Sequence, residues 1–306
     1  MIRQFSRQFL ISVIAIGALI VGHGVARAQA PAHEGSAPTQ SSHTTSSSAS
    51  DSPWGIDLGL NVNRVAGATW WDITPKIKRA LDEHWTLELA VPIRLVPGTL
   101  TDDGLSHAGL GDLYGSIAVE VGTDDVTFNS ELSASAATGS ASKGLGSGEA
   151  EWDWINHVEK DFGSLTPYAE AGFSNSVDYA TRISRNRAGG LTGATASSTG
   201  TLFNGELGTS LNLSDSVSLS VSGYISRGVG SQTVVTRTVT PRRPGTGRAP
   251  LLTTSNAGDD AGFASTLDGV LTRGVDVSVV FWRSTTYQYN TLSAGITLKL
   301  VDLFRK

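Results

Sequence analysis

The chain has 306 residues, with 23 Lys and Arg against 28 Asp and Glu, a formal charge of −5 and no Cys. The absence of Cys excludes a disulfide framework, a thiolate metal site and a cysteine nucleophile; the acidic balance disfavours a nucleic-acid partner. Hydrophobic residues make up 39% and Gly numbers 35, which suits a sheet with every second residue apolar better than a solid globular core.

Arg3 and Arg7 open the chain, an apolar run follows over residues 9–21, and Ala26-Arg27-Ala28 forms a small-x-small site. The run falls short of the roughly 20 residues of a membrane helix, so residues 1–28 read as a signal peptide cleaved after Ala28. Without it the chain keeps 20 basic against 28 acidic residues, a charge of −8. Residues 29–53 are rich in Ser, Thr, Ala and Pro without periodicity, as in a disordered periplasmic tail. His33 and His43 lie there, too few ligands for a metal site.

From Trp54 onward the chain alternates. Ile56, Leu58, Leu60 and Val62 oppose Asp57, Gly59, Asn61 and Asn63. Leu87, Leu89, Val91 and Ile93 oppose Thr86, Glu88 and Arg94. Ile117, Val119 and Val121 oppose Ser116, Ala118 and Glu120; Val126, Phe128 and Leu132 oppose Thr127, Asn129 and Glu131. Phe203, Leu207 and Leu211 oppose Asn204, Glu206 and Ser210; Val217, Leu219 and Val221 oppose Ser218, Ser220 and Ser222. With weaker repeats this makes about twelve strands of about ten residues, the length a tilted membrane-spanning strand needs. Short connections near Asp82, Thr123, Asp161, Ser214 and Arg273 alternate with long ones at 97–109, 138–148, 179–200 and 230–262; two further tight turns fall near Gly67 and Tyr287. The pattern predicts an all-β fold over residues 54–306: a transmembrane antiparallel β-barrel of about 12 strands with its long loops on the extracellular side. Pro75, Pro92 and Pro167 fall inside these strands, and bulges or strand ends are expected there. Trp54, Trp70, Trp71, Trp85, Trp152, Trp154, Trp282, Tyr168 and Tyr287 are expected in aromatic girdles.

The last strand places Leu292, Ala294, Ile296, Leu298 and Leu300 on one face. Ser293, Gly295, Leu298 and Leu300 resemble the C-terminal targeting signal of bacterial outer-membrane barrels, which implies the barrel assembly machinery as a partner. The chain departs from that signal by running on to Lys306, with Phe304 displaced. Three internal stretches are Gly109-Leu110-Gly111-Asp112-Leu113, the Gly-rich run from Thr138 to Gly148, and Phe162-Gly163 followed by Thr166-Pro167-Tyr168-Ala169-Glu170-Ala171-Gly172. Together they resemble the outer-membrane family of the MetA pathway of phenol degradation, often called transporters. The resemblance covers residues 109–172. It implies a barrel that passes small, aromatic or apolar compounds, and it brings no site residues.

The polar strand faces carry the lumen-lining candidates: Asp57, Asp72, Lys76, Glu88, Arg94, Glu120, Glu131, Glu151, Asp153, His157, Glu170, Glu206, Asp268 and Lys299, with Lys78, Asp112, Glu159 and Asp276 on the same faces. Charges on the lipid face would cost several kcal/mol, so these residues are expected to line water or to pair. Acids outnumber bases, which favours a cation-tolerant path; a lumen filled by ion pairs is the alternative. Arg182, Arg185 and Arg187 lie in one long loop, and Arg237, Arg242, Arg243 and Arg248 in another. Their guanidinium groups suit anions, including the phosphates of outer-membrane lipid and lipopolysaccharide. Lys143-Gly144-Leu145-Gly146 lacks the following helix of a phosphate loop, and no expected strand carries a Ser two residues from a His as in barrel hydrolases. The expectation is therefore an outer-membrane channel or transporter for a small-molecule solute, with no catalytic residue, metal or cofactor. The alternative is a closed structural or ligand-binding barrel acting through its Arg-rich loops.

Overall fold

The computed structural model describes residues 31–34, 53–65, 68–98, 104–175, 178–185, 191–239, 251–253, 259–286 and 290–303. Twelve strands follow one another around a closed antiparallel barrel: β1 (Trp54–Val65), β2 (Ala68–Ala80), β3 (Trp85–Ala90, resuming as Ile93–Val96), β4 (His107–Leu110, resuming as Leu113–Gly122), β5 (Val126–Ala136) and β6 (Glu151–Lys160). The second half comprises β7 (Leu165–Ser174, resuming as Asp178–Arg185), β8 (Leu191–Ser214), β9 (Val217–Val239), β10 (Asp260–Thr272), β11 (Val275–Ser284) and β12 (Asn290–Lys299). Closure comes from β12 pairing with β1, from Thr291 opposite Val65 to Lys299 opposite Asp57. A closed sheet has no unpaired edge, which is what a strand structure needs in lipid. A four-residue helix, α1 (Leu300–Leu303), packs beside β1 and β12.

The barrel is inside-out relative to a soluble protein. Leu89, Leu132, Leu207, Val221 and Ile225 are exposed on its outside, whereas Asp57, Ser116, Ser133, His157, Ser210, Ser220 and Ser222 are buried within. The register makes this consistent. Leu89 faces Gly115 and Ile77 across its ladders, and Val221 faces Thr209 and Ser265, all on the outer face. Trp54, Trp71, Trp85, Trp152 and Trp154 are exposed outside. Trp70 and Trp282 depart from the girdle expectation: Trp70 pairs with the inward Asn63 and Trp282 with the inward Ala264, so strand parity turns both rings into the interior. Tyr168 is inward too, and Tyr287 lies outside the described residues.

The prolines are accommodated at gaps in the ladders. Pairing of β2 with β3 stops after Ile73 opposite Ile93 and resumes at Lys76 opposite Ala90. Pro75 and Pro92 both lie in that gap, so their missing donors share one interruption. Of the bulges or strand ends expected at the prolines, no register shift accompanies Pro75 or Pro167, whereas Pro92 falls in the break between Ala90 and Ile93 and Pro167 stands one residue before the β6 ladder begins at Tyr168 opposite Glu159.

The termini-bearing rim has short turns, such as the one in which Asp82 accepts the His84 and Trp85 backbone N–H groups at 2.8 Å each. At the other rim β8 and β9 run on as a long hairpin, paired up to Gly193 opposite Val239. The expected loop at 179–200 is largely strand, because Asp178–Arg185 pairs with β8. Its Thr, Ala, Ser and Gly give no apolar rhythm, so pairing alone reveals it. Pro31–Glu34, inside the stretch expected to be a tail, pairs antiparallel with Asp178–Arg185. The cleavage site at Ala28 and the loop residues Arg187, Arg242, Arg243 and Arg248 lie outside the described residues; Arg182, Arg185 and Arg237 lie in described strands.

Candidate functional site in the barrel interior

Every lumen-lining candidate falls on an inward register position. Asp57 pairs with Lys76 and Lys299, Lys78 with Glu88, Asp72 with Arg94, and Glu120 with Asn129. Glu131, Glu151, Asp153, His157, Glu170, Glu206 and Asp268 continue the same face around β5 to β10.

One sector neutralises itself. Lys76 Nζ reaches Glu88 Oε1 at 2.9 Å; Lys78 Nζ lies 3.1 Å from Asp57 Oδ2 and 3.5 Å from Glu88 Oε2. Arg94 Nε lies 3.4 Å from Asp72 Oδ1, and Lys299 Nζ 2.8 Å from Asp276 Oδ2. Within the barrel wall these inward Lys and Arg residues stand on β2, β3 and β12, joined through β1; Arg182, farther along the resumed part of β7, shares the inward parity. Each base has its acid, so this wall carries little net charge.

The facing wall, β4 to β10, is acidic. His157, 6% exposed, lies between Glu159 (3.4 Å) and Glu170 (3.5 Å) and stacks on Tyr168 with ring centroids 5.2 Å apart. Tyrosine hydroxyls hold three other carboxylates: Tyr114 donates to Glu131 at 3.0 Å, Tyr168 to Glu206 at 2.7 Å, and Tyr224 to Asp260 at 3.1 Å. Ser284 also donates to Asp260, at 2.6 Å. Two of these pairs repeat one device. Tyr168 is the cross-strand partner of Gly208 and Tyr224 of Gly262, and a Cβ on either Gly would strike the Tyr ring. Each ring lies in the space left by the Gly, which aims its hydroxyl at the acid two residues before it. These Tyr pairs and Asp260 were not among the sequence candidates; Asp260 fell in an expected loop, although Ala261 and Phe263 continue outward alternation from it.

The Gly-rich stretch 138–148 folds against this wall. Asp112 accepts hydrogen bonds from the Gly139 amide at 2.7 Å, the Ser147 amide at 2.6 Å and the Ser147 hydroxyl at 3.1 Å. Thr138 patches the break in β4: it accepts from the Leu113 amide at 2.8 Å and donates to the Gly111 carbonyl at 3.2 Å. Leu145 is buried, and a Cβ on Gly109 would come within 2.8 Å of its Cδ1. The ladder registers explain the fit. Gly109 opposite Arg94 and Tyr114 opposite Ala90 differ by one residue, a β-bulge at Gly111-Asp112 that turns the Asp112 carboxylate to the loop. A one-turn 3-10 helix, Ala141–Lys143, ends at Gly144 with φ +66°. The described residues place no group of three or more His, Asp or Glu that could hold a metal.

No family model matches the chain, and no curated protein matches it. Solved structures do. The COG4313 outer membrane channel from Pseudomonas putida F1 superimposes with a TM-score of 0.50 at 11% identity, over 80% of this chain and 93% of that one. The NanC porin gives 0.45 at 8% identity, over 79% and 100%. The Pseudomonas putida toluene transporter TodX gives 0.37 at 10% identity, over 81% and 89%. The first of these supports the fold, and the fold alone: this chain is a closed twelve-stranded antiparallel barrel built like a bacterial outer-membrane channel.

Proposed function

We propose that the chain is exported, loses residues 1–28, and works in the bacterial outer membrane as a channel for small solutes. The long-loop rim faces outward. The observation that carries this reading is the asymmetric interior: one wall of closed ion pairs, and opposite it a wall of carboxylates held by Tyr hydroxyls. A structural barrel has no need of an uncompensated acidic wall, whereas a channel uses one to concentrate cations and exclude anions. The outer face, apolar with exposed tryptophans, suits lipid. Similarity at residues 109–172 suggests the MetA-pathway family and makes small aromatic compounds the first solutes to test. No step here calls for a nucleophile, a metal or a cofactor.

A closed, ligand-binding barrel is the second reading, favoured by the Gly-rich loop seated on the inner wall through Asp112. Liposome swelling separates the two. A channel admits small cationic and neutral solutes faster than anions of equal size; a closed barrel admits none above protein-free vesicles.

A further inference from the structure

Three arginines stand on the outer face at the long-loop rim. Arg64 on β1 pairs with Leu292 and Thr69, Arg227 on β9 with Phe203, and Arg283 on β11 with Phe263. All share the parity of exposed apolar side chains; Arg64 and Arg283 stand near the ends of their strands, and Arg227 lies between the exposed Ile225 and Val229. The stagger of the strands brings them level. The ladder row of Arg64 runs through Leu292, Phe281 and Ser265 to Val221. Arg283 lies two residues beyond that row and Arg227 six, in the direction of the long-loop rim. A row across strands tilted about 45° drops roughly 3 Å per strand, and each residue regains about 2 Å, which cancels the stagger. At the level of this rim the outward residues on β5 to β7 are Ala136, Trp152 and Phe173, so the three bases occupy one sector there; Arg185 has outward parity farther along the resumed part of β7.

Each Arg lies two strands from the next, roughly 10 Å at about 4.8 Å per strand. A guanidinium at the apolar boundary keeps its stem in hydrocarbon and its fork at headgroup depth, where it suits phosphate bidentately. Arg283 spends one donor on Asn290 Oδ1 at 3.0 Å, and Asp259, which accepts the Gly228 amide at 3.0 Å, is the acidic neighbour. A patch about 20 Å wide above an apolar wall fits several acyl chains and more than one phosphate. We infer that this sector binds a diphosphorylated, multiply acylated lipid of the outer leaflet, the lipid A part of lipopolysaccharide. The inference rests on the outward orientation proposed above.

Native mass spectrometry of the full mature chain, folded in detergent, tests it with diphosphoryl and monophosphoryl lipid A as probes. The expected result is at least tenfold weaker binding of the monophosphoryl lipid, and a similar loss of diphosphoryl binding in the R64Q/R227Q/R283Q variant. Equal binding of both lipids by the unaltered chain overturns the inference, whether or not the variant folds. Orientation is read separately, by labelling a Thr286→Cys variant in intact cells with an impermeant maleimide. Labelling only after lysis overturns the orientation and the inference with it; labelling of intact cells with no lipid preference overturns the inference alone.

Discussion

Asp112 Oδ2 accepts the Ser147 backbone N–H at 2.6 Å, joining residues 35 apart in the chain. With the Gly139 amide on Oδ1, one carboxylate holds both ends of the Gly-rich loop to the inner wall. A Cβ on Gly146 would come within 2.5 Å of the same carboxylate, so the glycine there serves close approach. The Gly-Asp-Leu stretch and the Gly-rich run therefore form one unit.

Replacing Asp112 by Ala frees the Gly139 and Ser147 amides, which were bonded to a charged group, while the Ser147 hydroxyl keeps the Glu149 carbonyl at 2.8 Å. Such bonds contribute about 1.5–3 kcal/mol each, so the loop should come away from the wall while the barrel persists. Trypsin added to the folded barrel should then cut after Lys143 at least tenfold faster than in the unaltered protein. An unchanged rate would mean that the loop is held by something other than Asp112.

Gly208 supports Tyr168 by having no side chain. In G208A the new Cβ would meet Tyr168 Cζ at 2.5 Å and Ser222 Cβ at 2.8 Å. The ring must move, the bond to Glu206 breaks, and overpacking should cost about 1–3 kcal/mol. Gly223, on the outer face, has the Gly262 carbonyl oxygen at 3.8 Å as its nearest neighbour, so G223A serves as the control. Urea unfolding in micelles should show a lower midpoint for G208A than for G223A; matching midpoints would remove the Tyr–Gly device from the account.

Leu89 and Val221 are exposed, 50% and 48%, each four residues past the start of its strand at the short-turn rim and on opposite sides of the barrel. Arg at either position should cost about 2–4 kcal/mol if that face meets hydrocarbon. Heat-modifiable mobility of both variants should fall in a folding assay with vesicles. Full folding of both would contradict the lipid-facing assignment.

Asp82, in the β2–β3 turn outside the membrane span, receives the His84 and Trp85 amides, which hold its carboxyl below the usual range. A depressed folded-state value contributes stability above the unfolded pKa of about 3.9, and this fades as pH falls through the folded value. The stability gap between the unaltered protein and D82A should be present at pH 7 and narrow in acid below about pH 4. A gap that stays constant with pH would assign the turn's stability to something other than the ionised carboxylate.

Much of this architecture is legible in the sequence because a barrel strand carries its own ruler. Leu87 and Leu89 against Glu88 fix a face without knowledge of any neighbour, and Asp82, Thr123 and Asp161 mark turns. What depends on neighbours is not legible. Trp70 and Trp71 are adjacent, and the register against Asn63 and Val62 sends one inward and one outward. The bonds from Tyr168 to Glu206 and Tyr224 to Asp260 need the offset between two strands, which neither strand contains alone. The segregation of Lys76, Lys78, Arg94 and Lys299 into one sector emerges only after β12 closes on β1, since Lys299 stands at the far end of the chain.

Single-channel recording of the refolded mature chain in a planar bilayer, under a salt gradient, tests most directly whether the acidic wall lines a conducting path. The account predicts steady conductance with a reversal potential on the cation-selective side, shifting toward zero when Glu170 and Glu206 are both replaced by Gln. A folded barrel that passes no current, or one that selects anions, would contradict it.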